Sequence, residues 1–133
     1  MKKLILFTLI LFVGTSFVHS QSEQAWVFFN KKEKVYESIY NPRTILTPKA
    51  IKRKYKNYIY IDERDVPVSE RFIKQIKESP GIKVLAKSKW FNCVFVEGSI
   101  QNIRDLTSFD FVDRVDFADY CLENGGAGVS AMC

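Results

Sequence analysis

Histidine is almost absent from this chain: 133 residues contain one, His19. Most serine, cysteine and zinc mechanisms use an imidazole as base or ligand, so those chemistries turn on the fate of one side chain. Cysteine is scarce as well, and the spacings of 28 and 12 between Cys93, Cys121 and Cys133 fit no zinc or redox motif. Six glycines and four prolines exclude a collagen-like or low-complexity chain. What is present, 47% hydrophobic and 26% charged residues, is the composition of one folded domain. Such a chain buries about two-thirds of its unfolded surface, which makes a metal or disulfide framework unnecessary for the core.

Lys2 and Lys3 precede an uncharged apolar run from Leu4 to Val13, followed by small residues at Gly14, Ser16 and Ser20. This pattern predicts a secretory signal peptide over residues 1–20 and an exported product, secreted or periplasmic. Stretched to Val18 the run gives 15 residues, short of the roughly 20 a bilayer span needs, so no stable membrane span is expected after cleavage. The cut is expected between Ser16 and Ser20, with Ser20 preferred, and His19 then leaves with the leader. A cut after Ser16 strands it on a frayed terminus, where acid–base catalysis lacks positional restraint. The mature chain is therefore not expected to be an enzyme by itself.

Charge is unevenly distributed. Residues 21–89 hold 16 basic and 8 acidic side chains, whereas residues 90–133 hold 2 basic and 7 acidic. That asymmetry can steer a domain toward a partner of complementary field. Cys93 lies in the apolar run Asn92-Cys93-Val94-Phe95-Val96 and reads as a small buried hydrophobe, while Cys121 and Cys133 are a possible disulfide in the tail.

Along the chain, Ala25-Trp26-Val27-Phe28-Phe29 reads as a buried strand and Asn30–Leu46 as irregular. Thr47-Pro48 starts a short basic helix over about residues 48–56, Ile59-Tyr60-Ile61 reads as a small strand, and Asp62–Asp65 as a polar connection. Ser69 caps a helix with Phe72, Ile73 and Ile76 inward, stopped at Ser79-Pro80-Gly81. Ile82–Ala86 and Cys93–Glu97 form an open hairpin with a loop over residues 87–92. Ser99 caps a third helix carrying Ile100, Ile103 and Leu106, Phe111–Phe117 is a last strand, and residues 120–133 form a flexible tail.

With residues 31–62 set aside as an insertion carrying the basic helix, the order is strand, helix, strand, strand, helix, strand. This predicts an α+β fold over residues 21–119, the ferredoxin-like split βαβ sandwich, with two helices on one face of a four-stranded antiparallel sheet. The other face is left open, and Trp90, Phe91 and Phe95 are candidates to stand on it, each with a core position as the alternative.

The runs Ile82–Ala86 and Phe91–Val96, the helix with Ile103 and Leu106, and Phe111–Asp116 resemble the propeptides of secreted bacterial subtilisin-like serine proteases. Ala25–Phe29, Leu46–Lys54, Asp65–Val68 and Ala86–Asn92 extend the resemblance over residues 24–119. It implies a folding chaperone and product-like inhibitor whose partner is a subtilisin-like catalytic domain, met in cis or in trans. In the family, the open sheet face packs on two surface helices of the enzyme. Carried over, Asp116 stands at the end of the last strand near those helix N-termini, and Phe117, Ala118, Asp119 and Tyr120 lead a tail into the substrate cleft.

The family's Asp-Ser/Thr-Gly, His-Gly and Gly-Thr-Ser motifs do not occur; Gly128–Met132 only superficially resembles the last. The favoured expectation is the amino-terminal part of a protease precursor, with a free-standing inhibitor or a non-catalytic interaction domain as alternatives. A nucleic-acid-binding domain is the remote one. Lys49–Lys56 interleaves basic residues with Tyr55, but the third strand lacks the basic-Gly-aromatic signature, and export removes the chain from nucleic acid. No spacing implies a metal or cofactor.

Overall fold

Alternation along one strand sets the architecture. In the computed structural model, which describes residues 22–119, strand β1 (Glu23–Phe29) turns Ala25, Val27 and Phe29 into the core and Trp26 and Phe28 to the opposite face. It is a central strand, antiparallel to both β3 (Cys93–Gly98) and β4 (Val112–Phe117). Strand β2 (Lys83–Ser88) pairs with the free edge of β3, which gives the order β2-β3-β1-β4. The outer strand β2 is interrupted by a register shift between Val84 and Ala86, and carries Lys83 and Lys87, features that blunt an edge against further pairing.

Helix α1 (Val35–Tyr40) and helix α2 (Pro48–Lys56) belong to the segment between β1 and the first crossing helix, α3 (Glu70–Glu78). The second crossing helix, α4 (Ile100–Asp105), runs into a 3-10 turn at Leu106–Ser108. Ser69 and Ser99 cap α3 and α4 by accepting the N–H groups of Phe72 and Asn102. Phe72, Ile73 and Ile76 from α3, Ile103 from α4 and Leu106 meet Ala25, Val27, Val94 and Val96 of the sheet in one core. Phe72 and Phe111 stack with ring centroids 4.3 Å apart, and Phe29 stands edge-on to both at 5.7 Å. Burying a ring of this size contributes about 2–3 kcal/mol. An α+β sandwich results, with both crossing helices on one face of a four-stranded antiparallel sheet.

Three local expectations change. Asn30–Leu46 is not irregular, for it contains α1 and a 3-10 turn at Pro42–Thr44. Helix α1 buries only Ser38 and begins at a left-handed Lys34 without a side-chain cap, so no apolar stripe or cap marks it. Ile59–Ile61 is not a strand. Tyr60 is exposed and the segment pairs with none of the four strands, because β-branched composition does not make a strand without an available edge. The hairpin loop is shorter than residues 87–92, since Lys87 and Ser88 pair with Val94 and Cys93. Asn92, at φ 52°, closes the turn and donates its amide to the carbonyls of Phe29 and Lys31 at 2.9 and 3.0 Å.

Charged groups tie the insertion to the sandwich. The Lys32 ammonium donates to the carbonyls of Glu63, Val66 and Lys89 at 2.6–2.8 Å, and burial lowers its pKa. Lys54 meets Asp65 at 2.7 Å, with side chains 20% and 7% exposed. Asp62 and Asp65 form a reciprocal capping box, so the expected polar connection is a structured turn. Ser69 donates to the carboxylate of Glu33, which also pairs with Arg71 at 2.6 Å. The expected leader (residues 1–20), Tyr120, the possible Cys121–Cys133 pair and the tail over residues 120–133 lie outside the described residues. No helix among the described residues is long and apolar enough to cross a membrane.

Candidate functional site

The sheet face away from α3 and α4 is built from the alternate residues of each strand. Register places Trp26 of β1 between Phe95 of β3 and Asp116 of β4, and Phe28 between Cys93 and Arg114. The rings of Trp26 and Phe95 lie 4.6 Å apart at an interplanar angle of 38°, and Trp26 keeps 36% of its surface exposed. Beside them the guanidinium of Arg114 lies 3.8 Å from the centroid of the Phe28 ring, a cation–π contact held by carboxylates on either side. Those are Asp116 and Asp113, each 3.2 Å from an Arg114 nitrogen. The rim toward β2 is polar, with Gln24 opposite Glu97 and Glu97 opposite Lys83.

Cys93, opposite Phe28 on this face, is 1% exposed. Burial pushes its thiol pKa up; Arg114 opposes the shift and Asp116 adds to it. A thiol held protonated is a packing group, not a nucleophile. Among the described residues no group of three or more His, Cys, Asp or Glu side chains could hold a metal ion.

Of the three aromatic residues singled out in the sequence, Phe95 stands on this face, against Trp26. Trp90 and Phe91 lie in the turn between β2 and β3, exposed at the end of the hairpin, with the Lys89 ammonium 5.6 Å from the Trp90 ring centroid. Asp116 faces the uncovered side near the end of β4. Phe117 turns inward, pairs with Ala25 and is 9% exposed in the core. The Ala118 N–H continues the ladder to the Gln24 carbonyl at 2.8 Å, and Asp119 is exposed at the end of the described chain. Trp26, Phe28 and Arg114 were not identified from sequence. The available signal was the alternation in 25–29, where the smaller Ala25 and Val27 take the helix side.

The domain is an α+β sandwich with one face covered by its own helices and the other carrying an aromatic pair beside charged side chains. The family model for the peptidase S8 propeptide domain of Bacteroidota matches residues 24–128, a span that takes in both crossing helices and, but for Glu23, all four described strands, and the chain belongs to this family. The resemblance to subtilisin-like protease propeptides thus holds across the sandwich, and the domain is a propeptide domain, not a catalytic one. No curated protein and no solved structure matches the chain.

Proposed function

We propose that this domain acts as a folding chaperone and product-like inhibitor of a subtilisin-like serine endopeptidase, in cis or in trans, on an exported precursor. One observation carries the reading: in a member of the S8 propeptide family, the Trp26–Phe95 pair and the Arg114–Phe28 contact stand on the one sheet face that the domain's own helices leave uncovered. Buried aromatic and arginine anchors inside a polar rim are the usual energetic centre of a protein interface. Asp116, on the same face, brings a carboxylate to the place where partner helix N-termini would meet it.

The buried Phe117 anchors the last strand and fixes the direction in which the chain leaves it. In this reading the cleft segment begins at Asp119 and continues through Tyr120, adding to the enzyme's substrate-binding edge by main-chain hydrogen bonds. Trp90 and Phe91, at the hairpin tip, extend the contact beyond the sheet. Inhibition follows from slow release, because the docked face holds the tail in place.

Removing every residue after Ala118 tests the two parts separately. The truncated chain keeps the ladder bond to Gln24 and should bind a subtilisin-like enzyme weakly, detectable by surface plasmon resonance, without blocking peptide hydrolysis. Equal inhibition by the truncated and full chains refutes the cleft-tail mechanism.

A further inference from the structure

Residues 31–60 carry nine basic and two acidic side chains and five of the six tyrosines in the chain. The segment lies between β1 and α3 and contributes nothing to the uncovered sheet face. On α2, Ala50, Ile51 and Lys54 turn partly inward, which leaves Lys49, Lys52, Arg53 and Lys56 as one outward stripe at helical spacing. None of these four, nor Lys34 or Arg43, has an ion-pair partner among the described residues. Nine of the chain's basic residues thus fall within this one segment, while its acidic residues lie mostly elsewhere.

The C-terminal end of α2 adds an independent observation. Ile59 N–H bonds back to the Lys54 carbonyl and Tyr58 N–H to the Tyr55 carbonyl, the paired bonds of a Schellman ending. The residue that must turn left-handed in this motif is usually glycine, yet here it is Tyr58, at φ 55°. Its ring gains no packing in exchange, for it is 93% exposed, and Tyr55 and Tyr60 beside it are exposed too. A strained, solvent-facing tyrosine where glycine would fit freely points to a use for the ring outside the fold.

We infer that this element binds an anionic lipid surface, with the Lys49, Lys52, Arg53 and Lys56 stripe over phosphate head groups and Tyr55, Tyr58 and Tyr60 entering the interfacial layer. Tyrosine prefers that layer, and lysine and arginine stems reach along apolar surface while their charges stay at the phosphates. The three rings stand exposed at and just after the end of α2, so they suit a fluid interface better than a partner of fixed shape. Bases, by contrast, stack on rings held flat on a rigid platform. The contact holds the domain at a membrane surface without a span.

The test compares the exported chain with two variants on vesicles of phosphatidylethanolamine containing one-third phosphatidylglycerol, and on neutral phosphatidylcholine vesicles. The parent should sediment with the anionic vesicles alone, less strongly as salt is raised to physiological strength. Each surface cation is worth about fivefold in partitioning, so joint replacement of Lys49, Lys52, Arg53 and Lys56 by Gln should lower binding by several hundredfold. Its circular dichroism and its inhibition of a subtilisin-like enzyme should be unchanged, which separates this surface from the docking face. Tyr58→Gly should melt at the same or a higher temperature and yet bind the vesicles more weakly. Equal binding to neutral vesicles, or parent-like binding by the Gln variant, overturns the inference. Tighter binding to single-stranded DNA than to anionic vesicles overturns it in favour of a nucleic-acid partner.

Discussion

Replacing Phe95 by alanine separates a docking ring from a core ring. Phe95 is half-buried on the uncovered face, and its ring partner is Trp26 at 4.6 Å. Losing a half-buried ring removes about 1 kcal/mol of apolar burial, and losing the aromatic pair removes about 0.5–1 kcal/mol more. No closed cavity forms, because the site opens to solvent, so the penalty that makes core deletions severe is missing. The total, about 1.5–2 kcal/mol, lowers the melting temperature of a domain this size by roughly 6–16 °C. Docking should suffer more, since truncation of a central interface anchor costs at least about 2 kcal/mol, some thirtyfold in affinity.

Phe72→Ala is the matched control. Phe72 is fully buried between α3 and the sheet and stacked on Phe111. Its removal should cost about 3–5 kcal/mol of stability, while the molecules that remain folded dock as the parent does. Thermal melts followed by circular dichroism give the first quantity. Inhibition titrations, performed at a temperature where both variants are folded, give the second. A Phe95→Ala chain that loses stability to the extent of Phe72→Ala and inhibits with undiminished affinity per folded molecule refutes the assignment of this face as the docking surface.

Two further outcomes concern the insertion. Lys54→Met should cost about 2–3 kcal/mol in urea denaturation, because it leaves the buried Asp65 carboxylate without its cation. Lys52→Met, on the outward stripe of the same helix, should change stability by less than about 0.5 kcal/mol. Glu33 governs an acid transition: the hydrogen bond from Ser69, with the Arg71 guanidinium acting in the same direction, holds its carboxyl below the usual value of 4.5 against the opposing effect of burial. A depressed folded pKa contributes stability above that usual value and loses it as pH falls through the folded one. Urea midpoints of parent and Glu33→Gln should therefore differ by a constant amount above pH 4.5 and converge below it; a gap independent of pH removes Glu33 from this role.

The elements that could be read from sequence are those whose local chemistry and burial agree. Thr47, Ser69 and Ser99 all accept the backbone N–H three residues on, and the helices that follow start where those caps predict. Phe72, Ile73 and Ile76 face the core because their spacing puts them on one stripe. Helix α1 had neither signal: Lys34 provides no side-chain cap, and Ser38 is its only buried residue. The ties from Lys32 to three carbonyls and from Lys54 to Asp65 join residues 11 to 57 positions apart, which no short window reveals.

The uncovered face was harder to see because β1 is apolar on both sides. Ala25, Val27 and Phe29 alternate with Trp26 and Phe28, so the run reads as a strand buried from both directions. Yet the two crossing helices that carry apolar stripes both cover a single face. A central strand with apolar residues on two sides and helices for one has surface that the domain does not bury itself. Arg114 shields part of it by lying over Phe28, whereas Trp26 and Phe95 pack against each other and Trp26 stays 36% exposed. The mismatch between apolar strand faces and available helices was present in the sequence, and on the proposed reading a partner laid on the open side would resolve it.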